Sequence, residues 1–372
     1  MTHPTLSNVM ARHGLQGPLR LSAAVHLAPA APGDPAAYAG EDSFTFVRVK
    51  VTCAQGLSGN GFTGRFCAAE VAHLLNGALA EGMKAGLPLP EMTRKLNPRG
   101  MTGVVVSAVS ALEVALWDLV GQHAGQSVAQ LFGGRRASAP AHVTCGFSAL
   151  EQDALIAACQ SEIEAGAAGV KVLVAGKGRT VAEDIARVQA VRQAIGQKAD
   201  LIADANCGWD LQTAQTFLRG VADVGLAWLE EPLRGNDRHG LALLAAEKIA
   251  PFGAGQMEQT PDRFALLAEA GVSVLQPNAV FAGGMEAAAE VARQARARGC
   301  TISPAGGWDL INLQWMCGAM DSGAVELHRA QTRIARLLCA DPPRLQGGKL
   351  HLPSAPGFGL TPDESALAAC RA

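Results

Sequence analysis

The 372-residue chain predicts an α/β fold: a parallel barrel preceded by a smaller α+β domain. Three observations lead there. After Ala137, short apolar runs alternate with amphipathic helical stretches, an order that right-handed crossovers close into a barrel. Several of those runs end on a charged or amide side chain, as at Asp204, Glu230 and Gln256, and no GxGxxG follows the first of them, as a doubly wound open sheet would require. Before Ala137 the pattern is mixed, with two alternating strands and then helices.

Composition bounds the function. With 49% hydrophobic and 17% charged residues the chain can bury a large core. A net charge of −2 without a basic cluster argues against nucleic acid and against an anionic membrane surface. The apolar runs are strand-length, and Met1 to Arg20 lacks the basic head and apolar core of a signal peptide, so a cytoplasmic protein is expected. Nine cysteines without CxxC spacing fit reduced thiols better than a zinc site or a disulfide framework.

In chain order, Leu19–Leu27 and Phe44–Val51 alternate as strands of an antiparallel sheet. Between them Ala28–Asp42, rich in Ala, Pro and Gly, reads as a loop and carries the one tyrosine, Tyr38; a glycine-rich turn, Gly56–Gly64, follows. Helical patterns cover Ala68–Gly82 and Ser107–His123, the latter with Ala108, Ala111, Leu112, Ala115, Leu116 and Leu119 on one face. The barrel strands are expected at Ala141–Cys145, Gly169–Val174, Leu201–Asp204, Leu226–Glu230, Phe252–Gln256, Val272–Gln276, Cys300–Pro304 and Ala324–Leu327. Helices are expected at Val181–Ile195, Leu211–Val221, Pro261–Glu269 and Met285–Arg298. Residues 1–136 thus form the first domain, 137–334 the barrel, and 335–372 a tail too extended for a further repeat that returns to the first domain.

In such a barrel the chemistry lies at the C-terminal strand ends. Asp204, Glu230 and Gln256 end three successive strands, a set of oxygens suited to a hard divalent cation, though Asp204 capping the next helix and Glu230 in a structural ion pair would leave the same pattern. Lys171, one strand earlier, can bind a substrate carboxylate, take part in proton transfer, or neutralise Asp204 or Glu230. Because alternate residues share a face, Glu326 pairs with His328, an acid or base or else a structural histidine, and Asp204 pairs with Asn206. Cys145 and Cys207 lack a neighbouring histidine, and Gly176-Lys177-Gly178 is not a phosphate loop.

Together Ser107-Ala-Val-Ser-Ala-Leu-Glu-Val-Ala-Leu-Trp-Asp118, Leu131-Phe-Gly-Gly134, Asp204-Ala-Asn206-Cys-Gly-Trp209, Trp228-Leu-Glu230-Glu231-Pro232, Gln276-Pro-Asn278, Gly283-Gly284 and Pro356-Gly-Phe-Gly359 resemble the mandelate racemase and muconate lactonizing enzyme branch of the enolase superfamily. The resemblance implies a modified (β/α)7β TIM barrel with an N-terminal α+β capping domain, whose Ala28–Asp42 and Gly56–Gly64 segments form lids. It implies Mg²⁺, or Mn²⁺, on Asp204, Glu230 and Gln256, a carboxylate substrate, removal of its α-proton to a metal-stabilised enediolate, and a homo-oligomer, dimer or octamer. It also exposes departures: Gln256 stands for an acid, Leu173 for the second lysine of Lys-x-Lys, and Asn278 and Ala305 for an Asp and His dyad. Lys171 and Glu326 remain, with His328 or lid residue Tyr38 available to move a proton and Asn206, Asn278 and Tyr38 to meet substrate. Two functions follow: a divergent racemase, epimerase or dehydratase of a small hydroxy or amino acid, acid sugars included, or a barrel that has lost turnover and binds or regulates.

Overall fold

A computed structural model describes residues 3–30 and 43–372. The first part of the chain runs α1 (Leu6–Arg12), β1 (Arg20–Pro29), β2 (Ser43–Thr52), β3 (Ser58–Thr63), α2 (Ala68–Leu74), α3 (Ala80–Lys84), α4 (Leu89–Leu96), α5 (Val104–Ala124) and α6 (Val128–Phe132). Strands β1, β2 and β3 form an antiparallel meander, and α5 lies across it. The expected turn at Gly56–Gly64 is for the most part a strand, β3. Its glycines serve close packing: a Cβ on Gly59 or Gly61 would collide with the α5 backbone at Ala115 or Ala111. The expected Ala68–Gly82 helix is interrupted by a widened turn over Leu75–Leu79, where Gly77 leaves helical angles.

Helix α5 was expected to bury one face. It is instead enclosed nearly all round, which is why a helix apolar enough to cross a membrane sits in the interior. Its two acids are spent on neighbours. Asp118 accepts from the Asn60 and Phe358 amides at 2.8 and 2.9 Å, tying β3 and the tail to the helix. Glu113 accepts from the Met285 and Glu286 amides at 2.8 and 3.2 Å and from the Trp117 indole, so one domain caps a helix of the other.

The barrel follows as β4 (Ser138–Gly146), α7 (Gln152–Glu164), β5 (Gly169–Leu173), α8 (Val181–Ile195), β6 (Asp200–Asp204), α9 (Leu211–Gly220), β7 (Trp228–Glu230), α10 (Arg238–Ala246), β8 (Phe252–Ala254), α11 (Pro261–Glu269), β9 (Val274–Leu275), α12 (Met285–Ala297), β10 (Thr301–Ile302), α13 (Asp309–Ala319) and β11 (Val325–His328). Parallel ladders run from β4 in sequence order to β10, and β11 returns to pair with β4, the (β/α)7β arrangement. In register, Leu173 faces Asp204 and Asp204 faces Glu230, which brings those strand ends to one mouth.

The tail comprises α14 (Thr332–Leu338), β12 (Leu345–Gln346), β13 (Lys349–His351) and α15 (Glu364–Ala369). Strand β13 runs antiparallel to the first half of β4, and α15 docks on the capping sheet, where the Arg48 guanidinium meets Glu364 with two contacts of 2.7 Å. Beyond α15 the chain pairs with β1 through the Leu27 amide and the Cys370 carbonyl.

Candidate active site

A cavity of about 600 Å³ opens at the C-terminal end of the barrel, beneath the edge of the capping sheet. Asp204, Asn206, Gln256, Glu326 and His328, at or just beyond the ends of three strands, β6, β8 and β11, line it. Lys171 and Glu230 form its floor, 2% and 0% exposed, just below the side chains that reach the open space. Tyr38 lies outside the described residues.

Charge organises this floor. The Lys171 ammonium donates to Glu230 Oε1 at 2.5 Å, sits 2.9 Å from Glu326 Oε1 and 3.6 Å from Asp204 Oδ2. Burial by itself would lower the lysine pKa, but Glu230, Glu326 and Asp204 more than offset it and hold the group protonated. Glu230 also accepts from the Trp228 indole at 3.0 Å. Glu326 accepts from the Thr144 hydroxyl and from the Gly307 amide at 2.6 Å. Against its burial, Lys171 and His328 pull the Glu326 carboxyl down to about 2.

Asp204 shifts the other way: burial and the neighbouring Glu230 raise it well above the usual carboxylate range, against Lys171. With all three carboxylates ionised, one ammonium would leave two negative charges uncompensated, and that excess helps drive Asp204, the member facing the cavity, toward protonation. A surplus of that size in a buried mouth is the donor chemistry of a divalent cation. Among the described residues no three His, Cys, Asp or Glu side chains form a ready cage; the Gln256 amide, against Gly306, is one further oxygen on the cavity wall. The set therefore fits a hard divalent ion with one charge fewer than three acids would give.

The other expected residues divide. His328 lines the cavity with its ring tilted 5.9 Å from Phe147, and its Nδ1 is buried without a hydrogen-bond partner from another of the described residues. Burial lowers the imidazole below its ordinary value in spite of Glu326, which favours the neutral ring. Asn206, in the left-handed region at φ 46°, donates its backbone amide to Asp204 Oδ1 at 2.8 Å and so orients that carboxylate. Asn278 is fully buried, and its amide is used on the carbonyls of Ala305 and Gly307 at 2.7 and 3.2 Å.

Sequence reasoning missed part of the wall. Glu231, Arg65, Phe281, Trp308 and Arg333 all line the cavity. Of these only Glu231 carried a signal, the second acid of Glu230-Glu231-Pro232; burial and Glu230 push it upward.

Comparison with known proteins agrees with this geometry. Residues 25–133 match the family described as mandelate racemase / muconate lactonizing enzyme, N-terminal domain, and residues 154–366 match the enolase C-terminal domain-like family. Arabinonate dehydratase of Saccharolobus solfataricus is 25% identical over 270 residues, 70% of this chain and 71% of its own. D-galactarolactone cycloisomerase of Agrobacterium fabrum is 29% identical over 289 residues, 73% of this chain and 76% of its own. Among solved structures, L-talarate dehydratase from Polaromonas sp. JS666, complexed with Mg and L-glucarate, superimposes with a TM-score of 0.80 at 26% identity, covering 95% of this chain and 98% of that one.

Proposed function

The chain belongs to the mandelate racemase/muconate lactonizing enzyme family of the enolase superfamily, and from that premise we propose that it removes the proton α to the carboxylate of a small hydroxy acid. Acid sugars are the substrate class its relatives point to, and the outcome is dehydration, racemisation or epimerisation. The observation that carries the reading is the floor of the cavity, where buried Asp204, Glu230 and Glu326 converge on Lys171, more acids than one ammonium can balance.

Asp204, Glu230 and Gln256 would hold Mg²⁺, or Mn²⁺, which neutralises the charge that builds on a substrate carboxylate as its α-proton leaves. Lys171 stays cationic, so its part is electrostatic: it fixes Glu230 and Glu326 and keeps the floor from repelling an anionic substrate. Glu326, held low and bonded by Lys171, Thr144 and Gly307, is a brace. Among the described residues that leaves His328 to move the proton. Its ring lines the cavity and its lowered pKa favours the neutral form, the state a general base requires. The α-proton passes to the imidazole; in a dehydration the imidazolium returns it to the departing β-hydroxyl, and in a racemisation the imidazolium loses it to solvent while water protonates the opposite face of the carbon.

The nine free cysteines fit a reducing cytoplasm, where we place the protein as a homo-oligomer. The test is a screen of acid sugars with Mg²⁺ for α-keto acid product, run beside His328→Asn. The variant is expected to lose about 10²–10⁴-fold in turnover; equal turnover would remove His328 from the chemistry.

A further inference from the structure

Just after β10 three successive residues lie in the left-handed region: Gly306 at φ 82°, Gly307 at 72° and Trp308 at 58°. Two glycines take this conformation freely, but a tryptophan does not, and a bulky residue held there is strained unless its surroundings over-determine it. The surroundings here do. The Gly307 carbonyl accepts from Asn312 at 2.9 Å and from Asn278 at 3.2 Å, and the Gly307 amide donates to Glu326. Gln331 completes the clamp: its Oε1 accepts from the Trp308 amide and its Nε2 donates to the Gly306 carbonyl, both at 2.9 Å. A Cβ on Gly307 would collide with that Gln331 amide.

The clamp sets the indole. Trp308 stacks on Phe62 of the capping sheet with ring centroids 5.5 Å apart and 19° between planes, and meets Phe46 edge-on at 6.2 Å. It lines the cavity, is 4% exposed, and its Nε1–H is buried with no acceptor among the described residues. The contrast with other tryptophans of this chain is sharp: Trp117, Trp228 and Trp315 each donate to a side-chain oxygen. A buried N–H without a partner is costly, and the stack on Phe62 and the braced backbone favour this ring position over one that would find a partner elsewhere.

We propose that Trp308 is a substrate-recognition residue, whose indole N–H donates to an oxygen on the part of the substrate remote from the reacting carboxylate. The substrate is then a carboxylate with a hydroxyl or second carboxylate at its far end, a class that a simple alkanoate or a 2-hydroxy acid of two carbons does not enter. The inference rests on the proposed function, since it assumes that a carboxylate sits over Asp204 and Lys171. It also gives the strain at Trp308 a use, because the stack on Phe62 sets the donor by the position of the capping sheet.

The experiment uses full-length protein with Mg²⁺ and ¹⁵N-labelled tryptophan, the Trp308 indole resonance being assigned by its loss in Trp308→Phe. L-glucarate, galactarate and L-arabinonate are the long probes and glycolate the short one. On adding a long acid that binds, the Trp308 indole signal is expected to move downfield, and Trp308→Phe, which keeps the aromatic stack, is expected to bind that acid about tenfold more weakly while holding glycolate as the parent does. Binding of a long acid, seen by calorimetry, with the Trp308 signal unmoved would overturn the inference and leave the functional reading intact. Equal weakening toward glycolate and the long acids would make Trp308 merely structural. If none of the acids binds, the functional reading fails and the inference falls with it.

Discussion

Replacing Lys171 with methionine keeps the volume and removes the one cation of the floor. Asp204, Glu230 and Glu326, all within 3.6 Å of the ammonium in the parent, would then face one another in a buried setting with no counter-charge. Removing one partner of a buried ion pair costs about 3–5 kcal/mol. Unfolding entropy of about 2.1 cal/mol/K per residue over 372 residues makes that a fall of about 4–6 °C in melting temperature. The sign with pH follows from Glu326. Its folded carboxyl is held at about 2 against 4.5 unfolded, so its contribution is present above 4.5 and is lost as pH falls from 4.5 toward 2. Lys171→Met forfeits that contribution, and the gap between parent and variant should be full at pH 7.5 and close through the acid range. Calorimetric melting in chelator across pH 3 to 8 reads both features. Equal melting at pH 7.5, or a gap that persists undiminished at the acid end, would refute the charge account of the floor.

Glu113→Ala should cost about 2–3 kcal/mol, since the Met285 and Glu286 amides and the Trp117 indole lose their acceptor, and hydrogen exchange should quicken at the start of α12. Burial and Glu286 push Glu113 up to about 8, so its protonation favours the fold most below the unfolded value of 4.5 and that benefit is lost as pH rises through about 8; Glu113→Gln should flatten this slope in a pH series of melts. Glu364, held at about 2 chiefly by its hydrogen bond to Arg48, shows the opposite slope: docking of α15 is supported above 4.5 and loosens as pH falls toward 2. Because Glu364 is exposed, Glu364→Gln should cost under about 1 kcal/mol, read as faster proteolysis of the tail at neutral pH. Gln256→Glu restores a third acid at the mouth, and calorimetric titration should show tighter Mg²⁺ binding than the parent; unchanged affinity would place Gln256 outside the ion's reach.

The positions of Lys171, Asp204, Glu230, Glu326 and His328 were legible because a parallel barrel turns a one-dimensional rule, polar residues at strand ends, into a three-dimensional one. Alternation and register place them together without knowledge of side-chain packing. Their division of labour was not legible. That Lys171 spends its charge on three acids, or that Glu326 is drawn low while Asp204 is driven high, depends on distances and burial. The Gly56–Gly64 turn was misread because glycine signals flexibility and close approach alike, and only the passage of α5 over Gly59 and Gly61 decides between them. Trp308 was invisible for a related reason. It sits in a loop whose conformation is set by Asn278, Asn312, Glu326 and Gln331, residues scattered over more than fifty positions of sequence.

The central claim is proton removal at this mouth, and exchange of the substrate α-proton tests it most directly. L-glucarate, galactarate and L-arabinonate would be incubated with the protein and Mg²⁺ in D₂O and followed by proton NMR. The expected result is loss of the α-proton signal from at least one acid, dependent on Mg²⁺ and slowed in His328→Asn by about 10²–10⁴-fold. Calorimetric binding of Mg²⁺ and of an acid with no exchange and no product would contradict it, and would assign this barrel to binding alone.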